Sequence, residues 1–445
     1  MFNFITNLLN INENEVEDLK VVSLPSETQF HITLFPTFPS CPYCGGTVQG
    51  HGHTKPKRIN HPVLTDRKTS VYFRNNRYLC NDCGRTFSGK NPFTFSTFKN
   101  SIFLLDRVMK QLKNLNYTYL MIAQSNHISV TQVQLYFDSF INIPRISLPV
   151  SLGIDEIHSR MAKRKDASYL AVLVDNLNRS LIDILPSRSK SELSRYFERI
   201  PLDERKQVRY VTIDMWLPYK EVCKKYLPNC IIAVDPFHVV KHLMEGFSRI
   251  RLNILNQCEY DSTTYYLLKT WKDLIEKDVF LDNEPVYNKR FGRKLNKRDL
   301  QEMILNISEN LCLGFRLKEM YLHFNKEATP DNCEQWFDTI YEAFLSSGIH
   351  EFDSFITTMS NWKKEILNSF QRPYDDRKLS NALSENINGQ LQTYIAISKG
   401  ISNFVRFRKR VIFSLNPKVY YSITETLHSD KREGRSRISH KKQNT

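Results

Sequence analysis

Three acidic residues have the types and settings that metal-assisted phosphoryl transfer requires. Asp155 ends the apolar run Leu152-Gly153-Ile154-Asp155-Glu156, and Asp214 ends Val211-Thr212-Ile213-Asp214-Met215. A carboxylate at the end of a buried strand sits at the rim of a sheet, where α/β folds place their sites. Two such carboxylates on neighbouring strands can share divalent metal, which activates an attacking oxygen and stabilises a leaving one. Hard oxygen ligands select magnesium or manganese. One strand-end Asp is more often a turn residue, so the pair carries the reading and neither member does alone. The third acid is Glu385, within Ser384-Glu385-Asn386-Ile387-Asn388. Helical periodicity groups Leu383, Ile387, Leu391 and Ile395 and leaves Glu385 off that stripe. Without its two partners it would read as a solvated helix residue.

A second chemistry is written in the cysteines. Cys41-Pro42-Tyr43-Cys44 and Cys80-Asn81-Asp82-Cys83 are paired CxxC knuckles. Four thiolates satisfy a tetrahedral zinc ion, and the glycine after each pair, Gly45 and Gly84, suits a knuckle's tight turn. His51, His53 and His61 lie between the pairs but are surplus to a complete shell. Lys55 and Arg58, among other basic residues there, are candidates for DNA phosphates, against the plainer reading of a solvated basic face. Further on, Tyr117–Gln124 reads as a helix, Asn126-His127-Ile128 as a turn and Ser129 as the N-cap of a second helix, Val130 to Phe140. Gln132 and Gln134 would be exposed on it, and glutamine can read adenine edges in the major groove. This is a helix-turn-helix candidate, with Ser129, Gln132 and Gln134 as DNA-facing residues.

The elements that must hold these residues alternate after the prolines at 144 and 149. Candidate strands are Ser151–Asp155, Tyr169–Val174, Leu181–Leu185, Tyr210–Ile213 and Ile231–Val234, with helices near 190–199 and 218–226, which makes an α/β sheet. The stretch 237–370 reads as almost wholly helical, with Trp271, Trp336 and Trp362 as core anchors, and another helix follows near 379–397. Residues 1–40 suggest a short strand pair around Val21-Val22 and Phe30–Leu34. The tail 429–445 is polar and basic and reads as disordered.

Composition agrees with a globular, multidomain chain. It has 445 residues, 41% hydrophobic and 24% charged, too long for one core. Lys and Arg number 62 against 47 acids, a net +15 that favours a polyanionic partner. No run of 18 apolar residues would span a membrane, and Met1-Phe2-Asn3-Phe4 does not read as a secretory signal. Nine cysteines fit reduced thiols with metal better than a disulfide framework.

Taken together in order, these segments resemble a known family. Gly153-Ile154-Asp155-Glu156 through Leu185-Pro186-Ser187-Arg188-Ser189 is similar to the first block of the ISL-three-type DDE transposases of bacterial insertion sequences. Thr212–Met215 with Val234-Asp235-Pro236-Phe237-His238-Val239-Val240-Lys241 resembles their second block. Ser384–Asn388, followed by Gly400-Ile401-Ser402-Asn403-Phe404 and Phe407-Arg408-Lys409-Arg410, resembles their third.

The resemblance implies an α/β fold with an RNase H-like catalytic domain and a large all-helical insertion, preceded by a zinc-binding module and a helix-turn-helix. It implies metal binding by Asp155, Asp214 and Glu385, with Asp235 and His238 as secondary active-site residues. Asp175 and Asp183, inside strands, are weaker candidates. The expected domains are 1–95 (N-terminal strands and the four-cysteine zinc-binding module), 96–145 (helix-turn-helix), 146–245 (catalytic, first part), 246–375 (insertion), 376–428 (catalytic C-terminal helices) and 429–445 (tail). The expected function is binding of element ends, then strand cleavage and transfer with Mg2+ or Mn2+, with Zn2+ structural. Arg290, Arg293, Lys294, Lys297 and Arg298 on the insertion would grip DNA backbone. Expected partners are terminal repeats and target DNA, with a homodimer or higher oligomer on DNA, no membrane, and a bacterial cytoplasmic, nucleoid-associated location. The rival reading is a DNA-binding regulator descended from a transposase and catalytically inactive. The presence of all three carboxylates argues against it. A metal-dependent nuclease without strand transfer is a further reading, separable by an assay for joined products.

Overall fold

A computed structural model describes residues 2–62, 67–95, 98–159, 168–374, 377–398 and 403–423. The basic tail 429–445 and Gly400, Ile401 and Ser402 lie outside the described residues. The chain forms two compact units, one of Met1–Arg145 with Thr393–Ile401 and Val405–Thr445, the other of Ile146–Gln392 with Ser402–Phe404.

In chain order the first elements are α1 (Phe2–Leu8), β1 (Val16–Ser23), β2 (Glu27–Leu34), β3 (Val48–His53), β4 (Lys57–His61), β5 (Lys68–Arg74), β6 (Asn76–Cys80), β7 (Thr86–Ser88), α2 (Ile102–Lys113), α3 (Tyr119–Ser125) and α4 (Val130–Phe140). Then come β8 (Ser151–His158), β9 (Tyr169–Asp175), β10 (Ser180–Leu185), α5 (Lys190–Glu198), α6 (Leu202–Gln207), β11 (Tyr210–Ile213), α7 (Leu217–Tyr226) and β12 (Ile231–Val234). The rest is α8 (Pro236–Gln257), α9 (Thr263–Thr270), α10 (Asp273–Glu276), β13 (Val286–Asn288), β14 (Arg293–Leu295), α11 (Lys297–Leu305), α12 (Glu309–Glu327), α13 (Cys333–Ser346), α14 (Asp353–Asn368), α15 (Ala382–Ile397) and α16 (Phe404–Leu415).

In the first unit the expected strand pair of residues 1–40 is β1–β2, preceded by an unforeseen helix, α1. It is also half of a larger sheet, ordered β1-β2-β5-β4. The block 41–90 therefore serves two structures. Its inner strands β4 and β5 finish that sheet over a core that includes Ile32, Ile59, Val71 and Phe73, while β3, β6 and β7 form a separate sheet that carries the cysteines. Three helices follow, each of them opened by a hydroxyl that accepts a backbone N–H: Ser101 from Leu104, Thr118 from Met121 and Ser129 from Gln132. The turn between α3 and α4 places His127 at φ +51°.

Helix α16 packs with these helices in the first unit. The cause is a pair of cations seated on carbonyls. Arg410, fully buried, donates to the carbonyls of Asn114 and Tyr117 at 3.0 Å each, and the Lys113 ammonium donates to those of Phe413, Asn416 and Val419. Charge-assisted bonds of this kind contribute about 1.5–3 kcal/mol each.

The second unit is built on a five-stranded sheet ordered β10-β9-β8-β11-β12. Strand β9 runs antiparallel to both its neighbours, whereas β8, β11 and β12 are parallel. These strands are buried along almost their whole length, which is why they read as continuous apolar runs rather than alternating ones. Register sets Ile154 opposite Ile213 and Ile213 opposite Val234, so Asp155, Asp214 and Asp235 sit at one level, Asp214 and Asp235 just past the ends of β11 and β12. Strand β8 does not end at Asp155, as its sequence suggested, but pairs with β9 for three more residues to His158.

The segment 237–370 is α8 to α14, but it is not all helical. The hairpin β13–β14 interrupts it, closed by Gly292 at φ +64° whose N–H donates to the Asn288 carbonyl. Trp362 is buried, and Trp271 and Trp336 pack partly buried against the same core.

Gly153 on β8 is where helix α15 approaches the sheet. A Cβ there would lie 2.6 Å from Val174 Cγ2 and 3.1 Å from Ser384 Oγ of α15. Gly153→Ala should therefore destabilise this unit by about 1–3 kcal/mol, as overpacking does. Urea unfolding followed by tryptophan fluorescence reads this unit, since all four tryptophans lie in it. An unchanged midpoint would show that α15 does not need the close approach.

Candidate functional site

Parallel strands β11 and β12 end at the level where β8 parts from β11, and the acids collect there. Asp155 (6% exposed), Asp214 (8%) and Asp235 (2%) are all buried. Asp214, Asp235 and His238 bring one ligand atom each within 4.8 Å of one another. His238 Nε2 lies 3.2 Å from Asp214 Oδ1, and that contact raises the imidazole above its ordinary pKa. Asp235 opens α8 by accepting from the Phe237 N–H, its carboxyl is raised by burial, and its Oδ2 is buried without a hydrogen-bond partner. Burial first, and the charge of Asp214 second, push Asp155 up to about 8. Asp155 therefore stands within reach of the Asp214 charge while lying outside the tight trio.

Helix α15 covers this edge with amides. Asn388 Nδ2 donates to Asp155 Oδ2 at 2.9 Å, and Asn381 Nδ2 reaches Asp214 Oδ1 at 3.5 Å and the Ile154 carbonyl at 3.3 Å. Glu385 is exposed, one turn from each of these asparagines and so on the same face of α15, but no contact joins it to Asp155 or Asp214. The buried stripe of α15 is Ser384, Ile387, Leu391 and Tyr394, not the expected Leu383, Ile387, Leu391 and Ile395. The shift follows from the space that Gly153 leaves for Ser384. Asn381, Ser384 and Asn388 were not foreseen as site residues. The signal available was polar residues recurring three and four apart around Glu385, the period of one helix face.

Several acids have other duties. Asp175 is a turn residue, accepting from the N–H groups of Leu177 and Asn178. Asp183 is buried on β10 and accepts from the Ile184 N–H. Glu156 is held by Arg188 and by the Tyr219 hydroxyl.

The four cysteines form a second centre. Sγ of Cys41 and Cys83 are 3.7 Å apart, those of Cys44 and Cys80 are 3.5 Å apart, and all four fall within 4.8 Å. Sulfurs about 2.3 Å from one zinc ion lie about 3.8 Å from each other, so the donor set fits zinc. Gly45 at φ +76° and Gly84 at φ +68° donate back to the Cys41 and Cys80 carbonyls, closing both knuckles. The backbone N–H of Cys83 holds the Cys80 thiol down, to about 7. His61 is no ligand here. It is buried edge-on to Phe93 and Phe103, and burial lowers its imidazole to about 4.

The DNA-facing candidates separate in the structure. Ser129 spends its hydroxyl on capping α4 and lines a cavity of about 450 Å³ with Gln132, Lys99 and His127. Gln132 and Gln134 are partly exposed, and Lys55 is exposed. Arg58 is paired with Glu27 at 2.6 Å. On the insertion, Arg290 pairs with Asp261 and Lys297 with Asp282, while Arg293, Lys294 and Arg298 stand exposed. No helix among the described residues is long and apolar enough to cross a membrane.

Comparison with known proteins bears on the whole of the acidic site. Residues 152–411, more than half of the chain, match the transposase family model of the DDE, ISL3 type. That interval contains Asp155, Asp214, Asp235, His238 and Glu385. Over 271 residues, 61% of this chain, it is 23% identical to the transposase for insertion sequence element IS1001 of Bordetella parapertussis. The match covers 58% of that relative's length. The sheet-edge acids, the helix laid across them and the matched interval coincide, and the chain belongs to the ISL3-type family of DDE transposases.

Proposed function

We propose that this chain is an active transposase that binds the ends of its element and cuts and joins DNA strands with divalent metal held by Asp155, Asp214 and Glu385. The observation that carries this is the segment from Asn381 into α15, whose amides at Asn381 and Asn388 engage the two aspartates and which places Glu385 on the same face. The sheet order β10-β9-β8-β11-β12, with β9 antiparallel, is the arrangement expected of an RNase H-like catalytic domain. The site fits a hard cation: three buried carboxylates crowd one edge, one of them with an unpartnered oxygen. Bound Mg2+ or Mn2+ would polarise the scissile phosphate and lower the pKa of the attacking water or 3′-hydroxyl.

The residues of the chain do the rest. Asp155 and Asp214 provide anionic oxygen at a fixed spacing set by strand register. Asn388 and Asn381 orient those carboxylates from above, and His238 holds Asp214 from the other side. Glu385, on the same face of α15, would be the third carboxylate to hold the metal. The inactive-regulator reading is not favoured, because every acid it would lose is present.

In the first unit, α3, its turn and α4 act as a helix-turn-helix, and the four cysteines hold structural zinc beside it. Because α16 is part of that unit, end binding is best tested on the full chain rather than on residues 1–142.

Three outcomes are expected. Asp155→Asn, Asp214→Asn and Glu385→Gln should each lower cleavage and joining of element ends in Mg2+ by about a thousandfold or more, with end binding retained, since the ligands act as one unit. Cleavage by the Asp214 variant at the wild-type rate would remove the metal assignment. Cys80→Ser should release one zinc per chain and loosen the β3-β6-β7 sheet while the tryptophan signal of the other unit persists. Zinc-free protein with native end binding would count against a structural ion. Gln134→Ala should cost about 1–3 kcal/mol for end DNA and little for random DNA, whereas Lys55→Ala should weaken both alike and flatten the salt dependence. Arg58→Ala should change either little, its charge being matched by Glu27. Equal losses on both DNAs for Gln134→Ala would show that α4 does not read bases.

A further inference from the structure

One set of contacts beside the acidic edge has no role in the chemistry assigned so far. Glu156, next in the chain to Asp155, is grasped on one oxygen by Arg188 and on the other by the Tyr219 hydroxyl at 3.0 Å. The Arg188 guanidinium lies over Trp216 at 4.7 Å and over Tyr169 at 4.3 Å. Trp216 in turn meets Tyr219 edge to face, with centroids 4.7 Å apart. The contacts close on themselves: Glu156 to Arg188, Arg188 to Trp216, Trp216 to Tyr219, and Tyr219 back to Glu156. The ring joins the β8 neighbour of Asp155 to the turn that begins two residues after Asp214.

Its backbone is held as well. The Arg188 N–H donates to the Tyr169 carbonyl, continuing the pairing at the end of β10, and Ser189 caps α5. Arg188 is therefore fixed at the end of the sheet where the acids collect. A planar cation can stack on a ring with each face and still donate in its own plane to a carboxylate. An ammonium cannot do both.

We propose that Arg188 is a positioning residue for the Asp155–Asp214 pair. By closing this ring it sets the spacing of the two carboxylates and so the affinity of the site for divalent metal. The proposal rests on the reading of those aspartates as metal ligands. Arg188 touches neither aspartate in the structure and acts through Glu156 and Trp216.

The test uses the full-length protein without DNA, titrated with Mn2+ while the free ion is followed by electron paramagnetic resonance. Arg188→Lys should bind Mn2+ on the order of tenfold more weakly, the range typical when a residue that orients a metal ligand is lost. The same variant should need correspondingly more Mg2+ for half-maximal cleavage, recover its rate at saturating Mg2+, and bind element ends as wild type does. Arg188→Ala should show a larger shift of the same kind, and if it does not fold, Arg188→Lys decides. Wild-type Mn2+ affinity in a folded Arg188→Lys protein overturns the proposal, as does a loss of end binding with metal affinity intact. Asp214→Asn is the control for the underlying reading. If it too binds Mn2+ like wild type, the ligand assignment fails. If it loses Mn2+ while Arg188→Lys does not, only the role of Arg188 fails.

Discussion

Burying Asp155, Asp214 and Asp235 at one sheet edge is the constraint on which the rest of the second unit depends. A carboxylate removed from water favours its neutral form, and a like charge nearby adds to the penalty, which is why Asp155 is pushed up to about 8. The fold offsets that penalty with groups that donate into the acids. Asn388 serves Asp155, Asn381 and His238 serve Asp214, and the Phe237 N–H serves Asp235. The donors come from two places, the start of α8 and the segment from Asn381 into α15, so the edge can exist only where β8, β11, α8 and α15 have already converged. The crowding that destabilises the metal-free site is also what a divalent cation would relieve.

Gly153 shows how backbone shape answers this requirement. Helix α15 can deliver its asparagines only if it comes close to β8, and Val174, Asn176 and Ser384 leave no room for a side chain at that point. An apolar strand that carries a glycine two residues before its aspartate thus encodes both the place of the acid and the approach of the helix that covers it.

The strands were legible because strand burial writes a local signal, a continuous apolar run; the acid that interrupts each run marked Asp155 and Asp214, although β8 continues past Asp155 to His158 where its sequence suggested an end. The knuckles were legible because CxxC spacing and a following glycine are local too. The face of α15 was not. Which of its residues turn inward is decided by Gly153 and by carboxylates far along the chain, as the Asn388–Asp155 and Asn381–Asp214 contacts show with separations of 233 and 167. The same holds for α16. Arg410 and Lys113 look like ordinary surface cations in sequence, and only contacts spanning 293 to 306 residues reveal them as buried links among helices. The hairpin β13–β14 was missed for a different reason, since three-residue strands carry too little alternation to stand out from the helices around them.

Net charge needs the same treatment. A surplus of +15 suggests a polyanion, but much of the positive charge never faces solvent freely. Arg410 is spent on carbonyls, Arg188 on Glu156 and two rings, Arg58 on Glu27, Arg251 on Glu276, and Lys318, itself buried, on the Ile275 carbonyl and Glu319. A cation with a fixed internal partner releases no counterion when DNA arrives, so it adds nothing to salt-dependent affinity. Lys55 in the cysteine-bearing region, and Arg293, Lys294 and Arg298 around the β13–β14 hairpin, are among the cations that stay exposed and without an ion pair among the described residues. The number of basic residues is therefore less informative than the pairing of each one, which decides where positive charge stays available.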